Sequence, residues 1–113
     1  MLKKNQRITD SKDFQTIYRR GRHNSNAFFS LNYLPNYYGV CRFGIVVNKK
    51  VAKKAIERNL LKRRIREILK LNYDTIVTGF DIIISTRPKT KEIPFSQLEK
   101  ELLVLLANAK LVK

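Results

Sequence analysis

The sequence concentrates positive charge in the stretch ERNLLKRRIRE at residues 57–67. The residue types from position 50 to about position 71 favour an α-helix, and nothing in this range breaks one. At about 100° per residue, such a helix carries two neighbouring stripes. One stripe is apolar except for its last member and contains Leu61, Ile65, Ile68, Leu69 and Asn72. The other stripe is polar and mostly basic and contains Asn59, Lys62, Arg63, Arg66 and Lys70.

A basic stripe of this kind can bind the phosphates of a nucleic acid, because each arginine offers a planar fork of N–H donors. Ten of the 24 basic residues lie between positions 49 and 70, and only Glu57 and Glu67 oppose them. The alternative is a solvated helix surface, whose signature would be balanced pairs of glutamate and lysine. Such pairs are nearly absent, so the pattern favours a polyanion as the ligand of this helix.

The overall charge points the same way. The chain of 113 residues carries a net charge of +15, and such an excess repels itself in the compact state. A polyanionic partner is the simplest explanation, and nucleic acid is the commonest one. The alternative is a basic protein that has no site for a polyanion.

We find no group of residues that would make the chain an enzyme or a metal protein by itself. Its acidic residues are scattered, and Cys41 and His23 are the only residues of their types. A zinc site needs about four ligands, so we expect no metal site, and we expect Cys41 to be a reduced packing residue and His23 a loop residue. The longest apolar run has six residues and there is no signal-peptide pattern, so we expect a cytoplasmic protein without membrane contact.

The remaining elements follow from periodicity and turn residues. Phe14, Ile17 and Tyr18 share one stripe of a predicted helix over residues 11–20. Residues 27–33 alternate as a strand, and residues 41–48 form a second strand, antiparallel to the first if the link is a hairpin. FDIIIST, which follows Gly79, predicts a buried central strand. Ser96 and Glu99 predict a capping box at the start of a last helix.

Aromatic residues suggest a second kind of RNA contact. Phe14 and Tyr18 share a helix face, and the alternation places Phe28 on the mixed strand face beside Ser30 and Asn32. Aromatic rings beside small polar groups can stack with unpaired bases. The pattern alone, however, favours ordinary core packing over base stacking.

The run GIVVNKKVAKKAIERNLLKRRIREI at residues 44–68 strongly resembles the signature of the bacterial ribonuclease P protein subunit. Further positions look like the family over nearly the whole chain: Arg7-Ile8, Asp13-Phe14, Gly21, the Leu34-Pro35-Asn36 turn, and Phe80-Asp81-Ile82-Ile83 before Arg87-Pro88. The resemblance implies an α+β fold in the order α-β-β(-β)-α-β-α. It also implies a mixed sheet with a left-handed βαβ crossover, similar to the second domain of ribosomal protein S5. Residues 1–113 are then one domain, with a basic segment at residues 1–9.

The resemblance also implies a function. The family's protein is the partner of a catalytic RNA, in a complex that removes the 5′ leader of precursor tRNA by hydrolysis. The RNA is expected to carry the active site and its Mg²⁺ ions, so no catalytic residue and no stably bound cofactor are expected in this chain. We expect one protein per ribonuclease P RNA. A general RNA-binding protein, ribosomal or chaperone-like, is the alternative, and a basic helix lying on a membrane is a weaker one.

Carried over by position, the resemblance assigns two sets of residues. Those expected to bind RNA are Lys49, Lys50, Lys53, Arg58, Asn59, Lys62, Arg63 and Arg66. Those expected to line a cleft for the leader are Phe14, Tyr18, Phe28, Asn32 and Arg87. The sequence departs from the family at Leu60, where a second basic residue is expected, and at Val46, where a small polar residue is common.

Overall fold

A computed structural model describes residues 2–113 and shows three α-helices and a four-stranded sheet. In chain order the elements are α1 (Ser11–Arg20), β1 (Arg22–Ser25), β2 (Phe29–Pro35), β3 (Arg42–Val46), α2 (Ala55–Leu71), β4 (Phe80–Thr86) and α3 (Phe95–Asn108). Short 3₁₀ helices occupy Lys4–Gln6, Tyr73–Thr75 and Pro88–Glu92. This architecture confirms the predicted α+β fold with a mixed sheet.

The strand order is β1-β2-β4-β3, with β3 parallel to β4 and the other pairs antiparallel. The link between β2 and β3 is therefore not a hairpin, because β4 lies between the two strands. Ile82, Ile83 and Ile84 give β4 two apolar faces, so β4 buries more apolar surface at the centre than β3, which carries Arg42 and Gly44 on one face. Helix α2 forms the β3–α2–β4 crossover, whose left hand stays a prediction.

Residues 22–25 form strand β1, so the prediction that His23 is a loop residue is wrong. They pair with β2 from Arg22↔Tyr33 to Ser25↔Ser30, so His23 lies on an edge strand. The turn into β2 is closed by Asn26, whose Oδ1 accepts hydrogen bonds from the backbone N–H groups of Phe28 (2.9 Å) and Phe29 (2.8 Å). Few apolar residues occur in this segment, so its strand character comes from pairing with β2.

Helix α2 begins at Ala55, five residues later than predicted. Asn48 causes the delay, because its Oδ1 accepts hydrogen bonds from the backbone N–H of Lys50 (3.0 Å) and of Val51 (3.3 Å) and so holds a turn. Val51 and Ala52 are buried in this turn. Arg58 braces it, since its Nη1 donates to the carbonyl oxygens of Ala52 (3.0 Å) and Lys53 (2.7 Å).

Helix α3 does not begin with the predicted capping box. It begins at Phe95 with Pro94 as the N-cap residue, and no side chain caps it. The Oε2 of Glu99 instead accepts a hydrogen bond of 2.9 Å from the Nδ2 of Asn72. Glu99 therefore joins the end of α2 to α3, a contact between helices that a local motif does not reveal.

The sheet is covered on both faces, and alternation along β4 separates the two layers. Ile82 and Ile84 belong to the main core with α2 and α3, whereas Ile83 packs with Ile8 and Ile17 of the α1 layer. We call the second surface the α1 face. Asp10 is the N-cap residue of α1, and its Oδ1 accepts a hydrogen bond from Lys12 N–H.

Gly44 sets how closely α1 approaches β3. A Cβ atom added at Gly44 would lie 2.6 Å from Cζ of Phe14, which is closer than any normal contact. The Phe14 ring therefore lies directly on the backbone of β3.

We predict that Gly44→Ala lowers the free energy of unfolding by about 1–3 kcal/mol, because the added methyl group displaces the Phe14 ring. In a Phe14→Ala background the same change should cost less than about 1 kcal/mol, since the clash is gone. Urea unfolding of the four proteins measures this cycle. Gly39→Ala is the control: it introduces backbone strain at φ +75° but has open space around it, so its cost should be equal in both backgrounds.

A buried ion pair ties the sheet to α1. The Nη2 of Arg42 lies 2.7 Å from Oδ2 of Asp81, and the side chains are 13% and 9% exposed. The same Nη2 lies 3.4 Å from Oδ2 of Asp13. The Cζ atom of Arg42 lies 4.2 Å from the centroid of the Tyr38 ring, a cation–π contact. The hydrogen bonds to Asp81 raise the pKa of Arg42 further above its ordinary value, so the pair stays charged.

We predict that Asp81→Ala lowers the free energy of unfolding by about 3–5 kcal/mol, because it leaves the Arg42 charge buried without its main partner. Asp13→Ala should cost less than about 1 kcal/mol, since Asp13 is 37% exposed and makes only the longer contact. Chemical denaturation of both variants gives the two values. Similar losses for the two variants would contradict the dominant role of Asp81.

Candidate RNA-binding surface

The basic stripe of α2 faces away from the core, as its spacing predicted. Leu61, Ile65, Ile68 and Leu69 are buried against the sheet and α3. In the neighbouring stripe, Asn59, Arg63 and Lys70 are exposed, whereas Lys62 and Arg66 are half-buried. The helix thus presents a row of hydrogen-bond donors next to the apolar stripe that packs on the core.

Lys49, Lys50 and Lys53 lie exposed in the turn before α2 rather than on the helix. Within residues 2–113, the ion pairs are Arg42–Asp13, Arg42–Asp81 and Lys91–Glu57, and none includes a residue predicted to bind RNA. Arg58 differs from the others because its guanidinium already donates to the turn backbone. Its structural role is to support the turn that displays the three lysines.

Leu60, where the family has a basic residue, lies on the side of α2 that faces the 3₁₀ helix at Pro88–Glu92. It is 45% exposed and lines a cavity of about 150 Å³ with Arg64, Thr90 and Lys91. Glu57 lines the same cavity and pairs with Lys91, so charges of both signs surround Leu60.

Phe14 and Tyr18 form an aromatic pair beside the α1 face. Their ring centroids are 6.5 Å apart, and Tyr18 is 48% exposed while Phe14 is half-buried on Gly44. Asn32 and Ser30 alternate with the buried Phe29 and Leu31, so they lie on the same face of the sheet as α1. An exposed ring beside a polar strand face is suited to stacking and hydrogen bonding with an unpaired base.

The other two residues predicted for the cleft lie apart from this pair. Phe28 is in the bend before β2 and packs against the main core, so its placement on the mixed strand face is wrong. The turn held by Asn26 explains this, because alternation begins only at Phe29. Arg87 is exposed directly after β4, and its N–H donates to the carbonyl oxygen of Phe28 (2.9 Å).

Sequence reasoning missed polar residues that strand pairing adds to the α1 face. Ser85 lies between Ser30 and Val46, and His23 pairs with Asn32 and places its Nε2 2.9 Å from Oγ of Ser30. The alternation of Ser85 with the buried Ile84 and Thr86 was visible in the sequence. Its neighbours became known only with the strand order.

A small cavity lies between Phe14, the inner ring of the aromatic pair, and Arg66 of α2. Its volume is about 170 Å³, and its lining includes Arg7, Phe14, Gly44 and Arg66. Two arginines therefore reach the place where the α1 face meets the basic helix. A strand of RNA that stacks on the aromatic pair can meet cations of both the leading segment and α2.

Cys41 and Tyr73 belong to the core. Cys41 is buried, which confirms its predicted packing role. Burial also raises the pKa of its thiol to about 12, so the thiol is protonated at neutral pH. The Tyr73 hydroxyl donates to the Cys41 carbonyl oxygen (2.8 Å), and burial raises the pKa of Tyr73 as well.

Across residues 2–113 no three His, Cys, Asp or Glu side chains gather where they could hold a metal ion. None of the helices in that range has the length and apolar character to cross a membrane.

Comparison with known proteins places the chain in one family. The family model for ribonuclease P matches residues 2–110. The ribonuclease P protein component of Streptococcus agalactiae is 36% identical over 111 residues, which covers 98% of this chain and 100% of the relative. That of Finegoldia magna is 35% identical over 108 residues and covers 96% of this chain and 94% of the relative.

Solved structures agree in fold as well as in sequence. The RNase P protein of Staphylococcus aureus superposes with a TM-score of 0.86 at 34% identity, over 96% of this chain and 98% of that one. The RNase P protein of Thermotoga maritima gives a TM-score of 0.82 at 35% identity, over 88% of this chain and 94% of that one. The resemblance carried by residues 44–68 is thereby confirmed, and the chain belongs to the ribonuclease P protein family.

Proposed function

We propose that this chain is the protein subunit of ribonuclease P. It binds the catalytic RNA and the 5′ leader of precursor tRNA, and it assists the endonucleolytic removal of that leader. The observation that carries the proposal is the nearness of two surfaces: the basic stripe of α2, which forms no salt bridge within residues 2–113, and the aromatic pair of α1. Arg66 of the stripe and Phe14 of the pair line one cavity together with Arg7. Family membership makes ribonuclease P the specific complex.

The basic stripe and the lysine turn bind the folded RNA in this proposal. From Asn59 to Lys70 the stripe extends about 16 Å along the helix, enough to follow several phosphates. Each neutralised phosphate releases counterions, so affinity falls as salt rises. Such contacts recognise backbone shape rather than sequence, which suits a structured RNA partner.

The α1 face holds the single-stranded leader. Tyr18 offers an exposed ring for stacking, and Asn32, Ser30 and Ser85 offer hydrogen-bonding groups at the sheet surface. Phe14 is fixed on Gly44, so the first ring of the pair is pre-organised. A leader strand can therefore bind without a large rearrangement of the protein.

The catalytic centre and its Mg²⁺ ions belong to the partner RNA in this proposal, with one protein per RNA in the cytoplasm. When bound by that RNA, Mg²⁺ would activate the attacking water and stabilise the leaving oxygen of phosphodiester hydrolysis. The chain contributes cations that reduce repulsion between substrate and RNA and a cleft that positions the leader. A general RNA-binding protein is the competing function, since the high positive charge alone would fit it.

We predict that adding the protein to a bacterial ribonuclease P RNA at low Mg²⁺ raises the cleavage rate of precursor tRNA by about tenfold or more. Two phosphate contacts at about fivefold each in 0.1 M salt already exceed that gain. Gel analysis of 5′-labelled precursor follows the reaction. A protein that binds RNA generally but gives no gain over RNA alone would identify the competing function.

Arg63 and Arg64 make a matched pair for testing the stripe. Both are exposed on α2, but Arg64 lies towards the 3₁₀ helix with Leu60 and Lys91. We predict that Arg63→Ala lowers the salt slope of binding to ribonuclease P RNA by about 0.7–0.9, whereas Arg64→Ala changes it much less. Filter binding across a salt series measures both slopes. Equal effects would mean that charge density, not the stripe, determines binding.

A further inference from the structure

A groove of about 500 Å³ opens at the end of the sheet where β2 ends and β4 begins. Its apolar floor is formed by Tyr33, Leu34, Phe80 and Leu111. The volume lies within the range of about 300–1,000 Å³ that small-molecule sites occupy. None of the residues predicted for the leader cleft or for the basic stripe lines this groove.

Three cations surround the groove, and its lining includes no carboxylate. Arg20, Arg22 and Lys110 are exposed, and none of them forms a salt bridge within residues 2–113. An apolar floor with two aromatic rings and a purely cationic rim complements a nucleotide, whose base is flat and whose phosphate is anionic. A neutral apolar partner would leave the three charges without a counterpart.

Lys110 supplies a second and independent observation. It is the one non-glycine residue with a positive φ (61°) in the described chain. The backbone N–H of Lys110 donates to the carbonyl oxygen of Ala107, and the N–H of Leu111 donates to the carbonyl oxygen of Leu106. This pair of hydrogen bonds is the Schellman motif at the end of a helix, in which the position of Lys110 is usually a glycine. A lysine in this conformation costs stability that glycine would not. This residue lines the groove and adds a cation to its rim.

The groove lies near the C-terminal end of α1. Arg20 is the last residue of that helix and follows Tyr18 by two positions, while Arg22 pairs with Tyr33 of the groove floor. Gly21 packs so closely on the sheet that an added Cβ would lie 2.7 Å from the Tyr33 carbonyl oxygen. Tyr33 and Phe80 pack with the main core on the sheet face opposite α1, so RNA bound to the aromatic pair reaches this groove by passing the C-terminal end of α1 and the end of the sheet.

We infer that this groove binds the single-stranded leader as it continues past Tyr18, with a base on the Tyr33–Phe80 floor and its phosphate among Arg20, Arg22 and Lys110. The identity of the strand as leader rests on the proposed function. The groove's affinity for single-stranded RNA follows from its own chemistry. The groove lies at the start of β4, whereas Arg87 follows the other end of that strand, about 20 Å away.

The first test uses the full chain and fluorescent oligouridines of four and ten nucleotides. Lys110→Gly and Arg22→Gln should each weaken binding of the decanucleotide about fivefold in 0.1 M salt and leave binding of the tetranucleotide unchanged. The fivefold figure follows from the loss of one phosphate contact, which contributes about 0.7 to the salt slope of single-strand binding. Lys100→Gln, an exposed lysine of α3 outside any salt bridge in residues 2–113, should alter neither. The melting temperature of Lys110→Gly should stay the same or rise, because glycine relieves the backbone strain. Equal weakening of both lengths, or none, overturns the inference.

A crosslinking test needs no variant. A decauridine with one 4-thiouridine at its end is irradiated on the wild-type protein, and the crosslinked peptides are identified by mass spectrometry. Crosslinks at Tyr33, Phe80 or residues 109–113 support the groove, and crosslinks confined to α2 and the Phe14–Tyr18 pair overturn it.

The reconstituted complex then identifies the strand. Lys110→Gly should weaken binding of precursor tRNA with a long leader about fivefold and leave a short-leader precursor unaffected. Equal binding of both precursors by wild type and variant would overturn the leader assignment. Failure of the protein to stimulate ribonuclease P RNA, with the oligonucleotide and crosslinking results intact, would overturn the proposed function and leave the groove as an RNA site.

Discussion

The burial of β4 on both faces is the constraint on which the rest of the structure depends. Ile82 and Ile84 point to α2 and α3, Ile83 points to α1, and all three are completely buried. A strand with two apolar faces must lie at the centre of a sheet with helices on both sides. This requirement separates β2 from β3 and places the basic helix α2 on one side of the sheet and the aromatic helix α1 on the other.

More than half of the acidic residues hold the fold together and are not paired with the basic surfaces. Five of the nine acids do so: Asp10 caps α1, Asp13 and Asp81 hold Arg42, Glu57 pairs with Lys91, and Glu99 joins α2 to α3. The α2 stripe, the lysine turn and the rim of the groove have no such partners in residues 2–113. In the proposed function, phosphates bound at these surfaces would supply negative charge and reduce the self-repulsion.

Prediction from sequence succeeded where one segment contains its own signal. The α1 stripe, the apolar run of β4 and the two stripes of α2 need only periodicity and residue type. Prediction failed where contacts with another segment determine the structure. Residues 22–25 form a strand because they pair with β2, and Glu99 accepts a hydrogen bond from Asn72 and does not cap α3. Phe28 packs against the main core because Asn26 holds a turn before β2. For the candidate site, the α2 residues were identified from spacing, but Ser85 and His23 required the strand order.

By itself the sequence determined the chemistry available to this protein: an excess of cations in a row on a helix, aromatic residues one turn apart, and a signature specific enough to indicate the family. Tertiary structure alone decided which of these groups act together. The contact between Phe14 and Gly44, the cavity shared by Arg7 and Arg66, and the groove between α1 and the end of α3 each join residues far apart in the chain. Periodicity reports only on neighbours within a segment, whereas the packing of apolar faces selects which segments meet.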